Sequence, residues 1–547
     1  MGRFKILSSY KAIIAVFCLA FFIRIWDLAF IPHGFHVDEV ISGYIGRFVL
    51  LNGKDIYGNP FPLLYFNSFG DYRTILPMYI NGLSTFIFGV NEFAIRFPTA
   101  LIGSLIVFPV FSIGRMIFKN DKFSLIPPII LGILPWNIVL SRATSEAVVG
   151  LTIVTFGIYF LLKSIFEKKI PFLLLGNICL LLTYFIYPSF RLLAPLILLP
   201  LPFFISANRR WYFLSVFFFL IFTLLIFLTP YGQGRYQQTS LFGSTEVSNR
   251  IYSKDVALNY GEGNNNILVS RIFHNKVVGY IQEFNAQYFS YFSPNFLFLS
   301  GGLPDRYIVP YSGLIYVTFS LLLLALLLPV TIAINNRIFY YLLYLLVISP
   351  LPAALTIDDV PNVNRDIFMS VALVFLISIG FLKVLALLKN KKNKIIFSSI
   401  LALAILFEFI YFEHQYFIIS PSYKPVLRND GAKELIIDLS RYNSKTKIIL
   451  PLHDMPIYYL FFNNDFDKSL AGKFQQGLLI KEINNLNFVT NSCPTKDLNQ
   501  SKQNLANTIV VEDGNCPVNH KFSLISTIFR QDSTVAFRIL SPLKIGD

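Results

Sequence analysis

The chain is 547 residues long, 54% hydrophobic and only 14% charged. A water-soluble protein of that size would carry roughly a quarter charged residues, so most of this surface faces something other than water. The net charge is +15, but it falls in short clusters between apolar runs and forms no basic face on a folded domain, which excludes a nucleic-acid footprint.

Residues 12–30 follow a basic start (Arg3, Lys5, Lys11) in the manner of a signal peptide. No small-x-small cleavage site follows, and Arg24 and Asp27 interrupt the apolar run, so an uncleaved first helix is expected. Further runs of spanning length fall at 95–118, 123–141, 146–163, 171–187, 190–206, 211–229, 311–333, 338–356, 366–388 and 395–412. This predicts about eleven transmembrane helices of a multi-pass protein in the cell membrane. The basic clusters are Lys119 and Lys122; Lys163, Lys168 and Lys169; Arg209 and Arg210; and Lys389, Lys391, Lys392 and Lys394. A cytoplasmic N-terminus puts all of them inside, as the positive-inside rule requires, and an odd number of spans then leaves the C-terminal segment outside.

Three water-facing pieces remain on the expected outer side. Residues 31–94 are too long for a connecting loop and contain an amphipathic stretch, 74–88, suited to the membrane interface. Residues 230–310 turn from polar to aromatic-rich (Tyr288, Phe289, Tyr291, Phe292), which suits a return to the headgroup region. Residues 414–547 read as a small extracytoplasmic α/β domain, with a helix over 431–442 and strands at 447–450, 508–511, 522–529 and 534–540. The expected organisation is therefore a membrane domain over 1–413 and this domain after it. Cys493 and Cys516 are the only cysteines outside the apolar runs; they form either a bridge across 23 residues or two separate thiols, while Cys18 and Cys179 read as packing. The water-facing pieces contain no G-x-G-x-x-G and no Walker-type loop, so nucleotide binding has no support.

The stretch His33-Gly-Phe-His36-Val-Asp38-Glu39 follows the first span directly. Adjacent carboxylates where a helix leaves the membrane are expensive unless used or paired; the plain alternative is a solvated loop acid. His-x-x-His beside them has metal-ligand spacing, but no third cluster completes a site, so no metal or cofactor is expected. Asp71 and Arg73 end the same loop, and Arg96 opens the next span. Arg142 and Glu146 are four apart and suit one helical face. Tyr187-Pro-Ser-Phe-Arg191 reads as an outer turn, and Arg365 precedes the tenth span. Each arginine alone reads as snorkelling to the headgroups. Arg73, Arg142, Arg191 and Arg365 together, on the side where basic residues are disfavoured, read as an anion site.

In these residues the chain resembles the GT-C membrane glycosyltransferases, and within them bacterial family 39, akin to protein O-mannosyltransferases and aminoarabinose transferases. The matching pieces are Asp38-Glu39, Gly53-Lys-Asp-Ile-Tyr-Gly58, Gly70-Asp71-Tyr72-Arg73, Arg96-Phe-Pro-Thr-Ala-Leu-Ile-Gly103, Ser141-Arg142 with Glu146, and Tyr187-Pro-Ser with Arg191. The resemblance spans roughly residues 12–390 and departs at Arg73-Thr74-Ile75, where relatives carry Lys-Pro-Pro. It implies transfer of a sugar from a polyprenyl-phosphate donor to an extracytoplasmic protein, lipid or glycan. An inverting displacement needs one positioned base, for which Asp38 is the candidate, with Glu39 beside it. Arg73, Arg191 and Arg365 are expected on the donor phosphate, and Asp71, Tyr187, Arg142 and Glu146 in positioning roles. The alternative from another class is a transporter or flippase of polyprenyl-linked sugars. It would show broken spans and polar groups near the membrane midplane, whereas these ionisable residues fall at helix ends and in loops.

Overall fold

The structure, a computed structural model, describes residues 2–68, 71–118, 120–204, 209–261, 272–442, 446–452, 454–474, 480–498 and 507–543; Gly70 and Lys119, singled out above, and 262–271 of the second large loop lie outside them. It is a mostly helical chain closed by a six-stranded sheet, the fold class expected. The chain divides into two compact units. One comprises Met1–Arg24, Thr99–Ser141 and Ser145–Glu413; the other comprises Ile25–Pro98, Arg142–Thr144 and His414–Asp547, so residues 25–98 group with the C-terminal segment.

Among the described residues six helices are long and apolar enough to cross a membrane: Glu92–Phe118, Glu146–Glu167, Arg209–Leu228, Asn336–Ala354, Met369–Leu387 and Lys391–Ser422. A seventh is counted if the bent pair Asp121–Ile133 and Pro135–Arg142 is one span. Several of the expected spans are therefore shorter or broken helices. On Arg209–Leu228 the side chains of Phe213, Leu214, Phe217, Phe218 and Leu224 are exposed, a face that lipid accommodates and water does not.

In the first unit the bent pair turns by 51° at Leu134, where Pro135 removes the amide that would continue the ladder. The next amide, that of Trp136, donates to the Leu314 carbonyl instead of into its own helix. Arg24, fully buried, takes up the Gly132 carbonyl at 2.9 Å and also bonds to the Ala20 carbonyl at 2.9 Å. A charge in an apolar span is tolerated when it satisfies such freed backbone groups. The continuous span expected over 311–333 is corrected: only Thr318–Leu327 is an apolar helix there. Pro329 stops it, and the Lys383 ammonium caps the released carbonyls of Leu326 and Leu328 at 2.7 and 2.9 Å.

In the second unit, helices Val37–Asn52 and Ile75–Phe88 pack so closely that a Cβ on Gly46 would stand 2.1 Å from the Met78 carbonyl oxygen. Strands β1 (Tyr65–Ser68) and β2 (Asp71–Thr74) pair antiparallel just before the second of these helices. The sheet is built from β3 (Lys447–Pro451), β4 (Glu482–Ile483), β5 (Leu486–Val489), β6 (Thr508–Asp513), β7 (Phe522–Phe529) and β8 (Val535–Pro542) in the order β4-β5-β3-β6-β8-β7. β3 lies parallel to both neighbours, and its residues from Ile448 onward are buried, the habit of a strand covered on both faces. The helix expected over 431–442 is Ala432–Leu439. Cys493 and Cys516 form a disulfide with Cα atoms 5.5 Å apart, so the bridge is the alternative realised.

Candidate active site

Helix Val37–Asn52 opens with His36 as its N-cap. The His36 Nδ1 accepts the Asp38 amide at 3.1 Å, and Glu39 returns to accept the His36 amide at 3.2 Å. This reciprocal box fixes the first helical turn and gives His36 Nδ1 a capping task. The Asp38 carboxylate lies between the cap, with Oδ2 3.5 Å from His36 Nδ1, and β2. Its Oδ1 lies 2.7 Å from Arg73 Nη2, and Arg73 Nε lies 3.4 Å from Asp71 Oδ2. Asp38 and Asp71 keep 28% and 37% of their side chains exposed, so an incoming molecule can reach this trio. Here the structure brings three of the expected residues together.

Glu39 has the opposite surroundings. It is 3% exposed. Arg96 meets it through Nε at 3.0 Å and Nη2 at 3.2 Å, Arg428 through Nη2 at 2.9 Å, and the Thr144 hydroxyl at 2.9 Å. Burial pushes its carboxyl up, but the Arg96 and Arg428 guanidiniums, with hydrogen bonds from Arg96 and Thr144, outweigh it and hold the pKa at about 2. Arg142 is buried in the same unit. Its Nη2 donates to the Ile31 carbonyl at 2.9 Å, and its guanidinium lies 4.8 Å from the Phe417 ring centroid. The shared helical face expected for Arg142 and Glu146 is corrected, because Pro135–Arg142 ends before Glu146–Glu167 begins. Thr144, in the left-handed region at φ 54°, separates the two. His33 Nδ1 stands 3.2 Å from Asp430 Oδ1.

The remaining expected residues lie in the first unit. Tyr187 sits in the electrostatic field of Arg365, Glu146, Arg235 and Tyr307. Arg365 is anchored through Nη1 to the Thr356 hydroxyl at 2.7 Å and through Nη2 to Asp358 at 3.4 Å. Asn364, beside it, accepts from the Ser145 hydroxyl at 2.6 Å, and Ser145 is the N-cap of the helix that starts at Glu146. Arg191 is 8% exposed and donates through Nε and Nη2 to the Tyr184 carbonyl at 3.1 and 2.9 Å, stacked 4.7 Å over the Tyr231 ring. It thereby braces the C-terminal end of helix Ile170–Thr183.

Residues 72–231, from β2 through Tyr187 and Arg191, match the sequence profile of the family described as dolichyl-phosphate-mannose-protein mannosyltransferase. The resemblance to family 39 holds. The chain is thus similar, over this stretch, to the family 39 membrane glycosyltransferases. Two solved structures of ArnT from Cupriavidus metallidurans align with it over 98% of each chain: the apo state at 10% identity and a TM-score of 0.42, and the state bound to undecaprenyl phosphate at 11% identity and 0.40. Scores under 0.5 do not establish a shared fold. No curated protein matches the chain in sequence.

Four residues of this family 39-like chain escaped the sequence reading of the site. Arg428 and Asn429 bond to the His33–Glu39 stretch, and Asp430 stands 3.2 Å from His33, from nearly 400 positions away (389 for Arg428 and Glu39), and no periodicity or spacing signals such a pairing. Arg235 follows the matched stretch in a polar helix, Pro230–Thr239, where a lone arginine reads as solvated. Among the described residues no group of three or more His, Cys, Asp and Glu side chains forms a metal cluster.

Proposed function

We propose that the protein is an integral membrane glycosyltransferase that moves a sugar from a polyprenyl-phosphate donor to a hydroxyl acceptor outside the cytoplasm. The reaction class is taken from the family matched by residues 72–231, whose description names a dolichyl-phosphate sugar. The observation that carries the reading is the accessible Asp38 carboxylate, 2.7 Å from Arg73 and fixed on a capped helix turn. Asp38 takes the proton from the acceptor hydroxyl while the acceptor oxygen bonds to the anomeric carbon from the face opposite the phosphate. The bond from that carbon to the phosphate oxygen breaks, and the polyprenyl phosphate leaves with the electron pair. The sugar emerges inverted.

Arg73 serves both ends of this step. Before the donor arrives it neutralises Asp38; the donor phosphate competes for the same guanidinium, and drawing Arg73 towards the phosphate leaves Asp38 a stronger base. Arg365, which shares the field at Tyr187 with Arg235, is proposed for the donor phosphate on the sequence resemblance alone. Asp71 holds Arg73, and Tyr187 and Glu146 position substrate. The buried pairing of Glu39 fits a positioning role in place of a second base, and Arg142 and Arg191 brace the fold. The disulfide supports an extracytoplasmic C-terminal domain, since such bridges persist outside the cytoplasm.

A transporter would use the open carbonyls of a broken helix to hold its cargo; here Arg24 already takes the Gly132 carbonyl at the break. Mass analysis of envelope lipids, glycans and proteins, with and without the gene, tests the proposal. One sugar modification should disappear with the gene and return with it. Unchanged envelopes would count against the reading.

A further inference from the structure

Of three consecutive residues, Arg428 and Asn429 bond to the seven-residue stretch that carries Asp38, and Asp430 stands against its first residue, His33. Arg428 Nη2 reaches Glu39 Oε2 at 2.9 Å, and its Nε reaches the His33 carbonyl at 3.0 Å. Asn429 Oδ1 accepts the Val37 amide at 3.2 Å. Asp430 Oδ1 stands 3.2 Å from His33 Nδ1, while its Oδ2 accepts the Gln531 amide at 2.8 Å, tying it to the turn between β7 and β8. The two chains meet without room to spare: a Cβ on Gly34 would lie 2.7 Å from the Arg428 carbonyl oxygen, and Gly34 holds φ at +75°, where a side chain is strained. Tyr458, from the helix after β3, donates to the Phe35 carbonyl.

These bonds bracket Asp38 on both sides. Its predecessor Val37 is held by Asn429 and its successor Glu39 by Arg428, so the first turn of helix Val37–Asn52 cannot rotate without breaking one of them. Side chains that react are effective only within a fraction of an ångström of the right geometry, and a displacement of about 1 Å costs on the order of 100-fold in rate.

We infer that Arg428-Asn429-Asp430 is a positioning element through which the C-terminal α/β domain sets the register of Asp38. The inference rests on the proposed role of Asp38 as the base. It gives a task to a domain whose own surface carries nearly balanced charge, fifteen Lys and Arg against twelve Asp and Glu over 414–547.

Asn429 offers the cleanest test, because it sits at φ 54° in the left-handed region. Asn429→Gly removes the acceptor without backbone strain, and Asn429→Asp restores it. The full-length protein in detergent is followed by hydrogen exchange over residues 33–40, and by turnover with whichever donor the wild type uses from a panel of polyprenyl-phosphate hexoses and pentoses. The glycine variant should exchange faster over 33–40 and lose about tenfold in kcat with little change in donor KM; the aspartate variant should recover both. Unchanged exchange in the glycine variant would overturn the contact. Faster exchange with wild-type kcat would overturn the positioning role while leaving the base intact. Failure of the base itself shows separately, as full turnover by Asp38→Asn.

Discussion

Asp38 and Glu39 are neighbours in sequence and opposites in circumstance. Asp38 is partly exposed, between Arg73 and His36; Glu39 is buried under Arg96 and Arg428. The sequence shows that a pair of acids stands here, but which of them can react depends on arginines 57 and 389 residues away, which no local pattern reveals. The difference is measurable. Glu39→Gln leaves two buried guanidiniums uncompensated and should destabilise the protein by roughly 3–5 kcal/mol. The folded-state pKa is depressed, so the stability Glu39 contributes is present above the unfolded value of about 4.3 and is lost as pH falls through about 2. Melting curves of wild type and variant should therefore converge across that window; curves that stay parallel would show that Glu39 is not held ionised. Arg73→Ala should weaken donor use strongly, while Arg73→Lys keeps the charge without the bidentate fork and should retain part of it. Equal turnover by the two variants would remove the charge of Arg73 from the account.

At the scale of elements, hydrophobic run length located the helices but not their interruptions. Proline explains two of these, at Pro135 and Pro329, and in both places a basic side chain, Arg24 or Lys383, satisfies carbonyls at the break. Strand patterning read the C-terminal sheet to within a residue or two at β3 and β8, because these strands carry β-branched and aromatic residues between clear turns. The Cys493–Cys516 bridge was one of two open alternatives, since spacing does not fix distance. It closes a loop of 23 residues that includes all of β6, and loop entropy puts its contribution at roughly 3 kcal/mol. Replacing both cysteines with serine should lower the melting temperature of the domain and spare turnover. Quantitative alkylation of both thiols in native, unreduced protein would rule the bridge out.

For the whole molecule, the basic clusters predict a cytoplasmic N-terminus and a C-terminal domain on the other side. A reporter active only in the cytoplasm, fused after Asp547, should be silent, and an active one would overturn the orientation and the extracytoplasmic chemistry together. Composition made the membrane class legible at once, and the order of short motifs pointed to the family whose profile residues 72–231 match. Neither revealed that residues 25–98 group with the C-terminal segment in one compact unit, because that grouping is made by packing between elements far apart in sequence. The central claim is that Asp38 is the base of a sugar transfer from a polyprenyl-phosphate donor. Its most direct measurement is the transfer rate of purified wild type and Asp38→Asn with a panel of polyprenyl-phosphate sugars and envelope acceptors. The wild type should transfer one of them, and the asparagine variant should fold and insert normally yet be slower by about 10²–10⁴-fold; an asparagine variant as fast as the wild type would contradict the account.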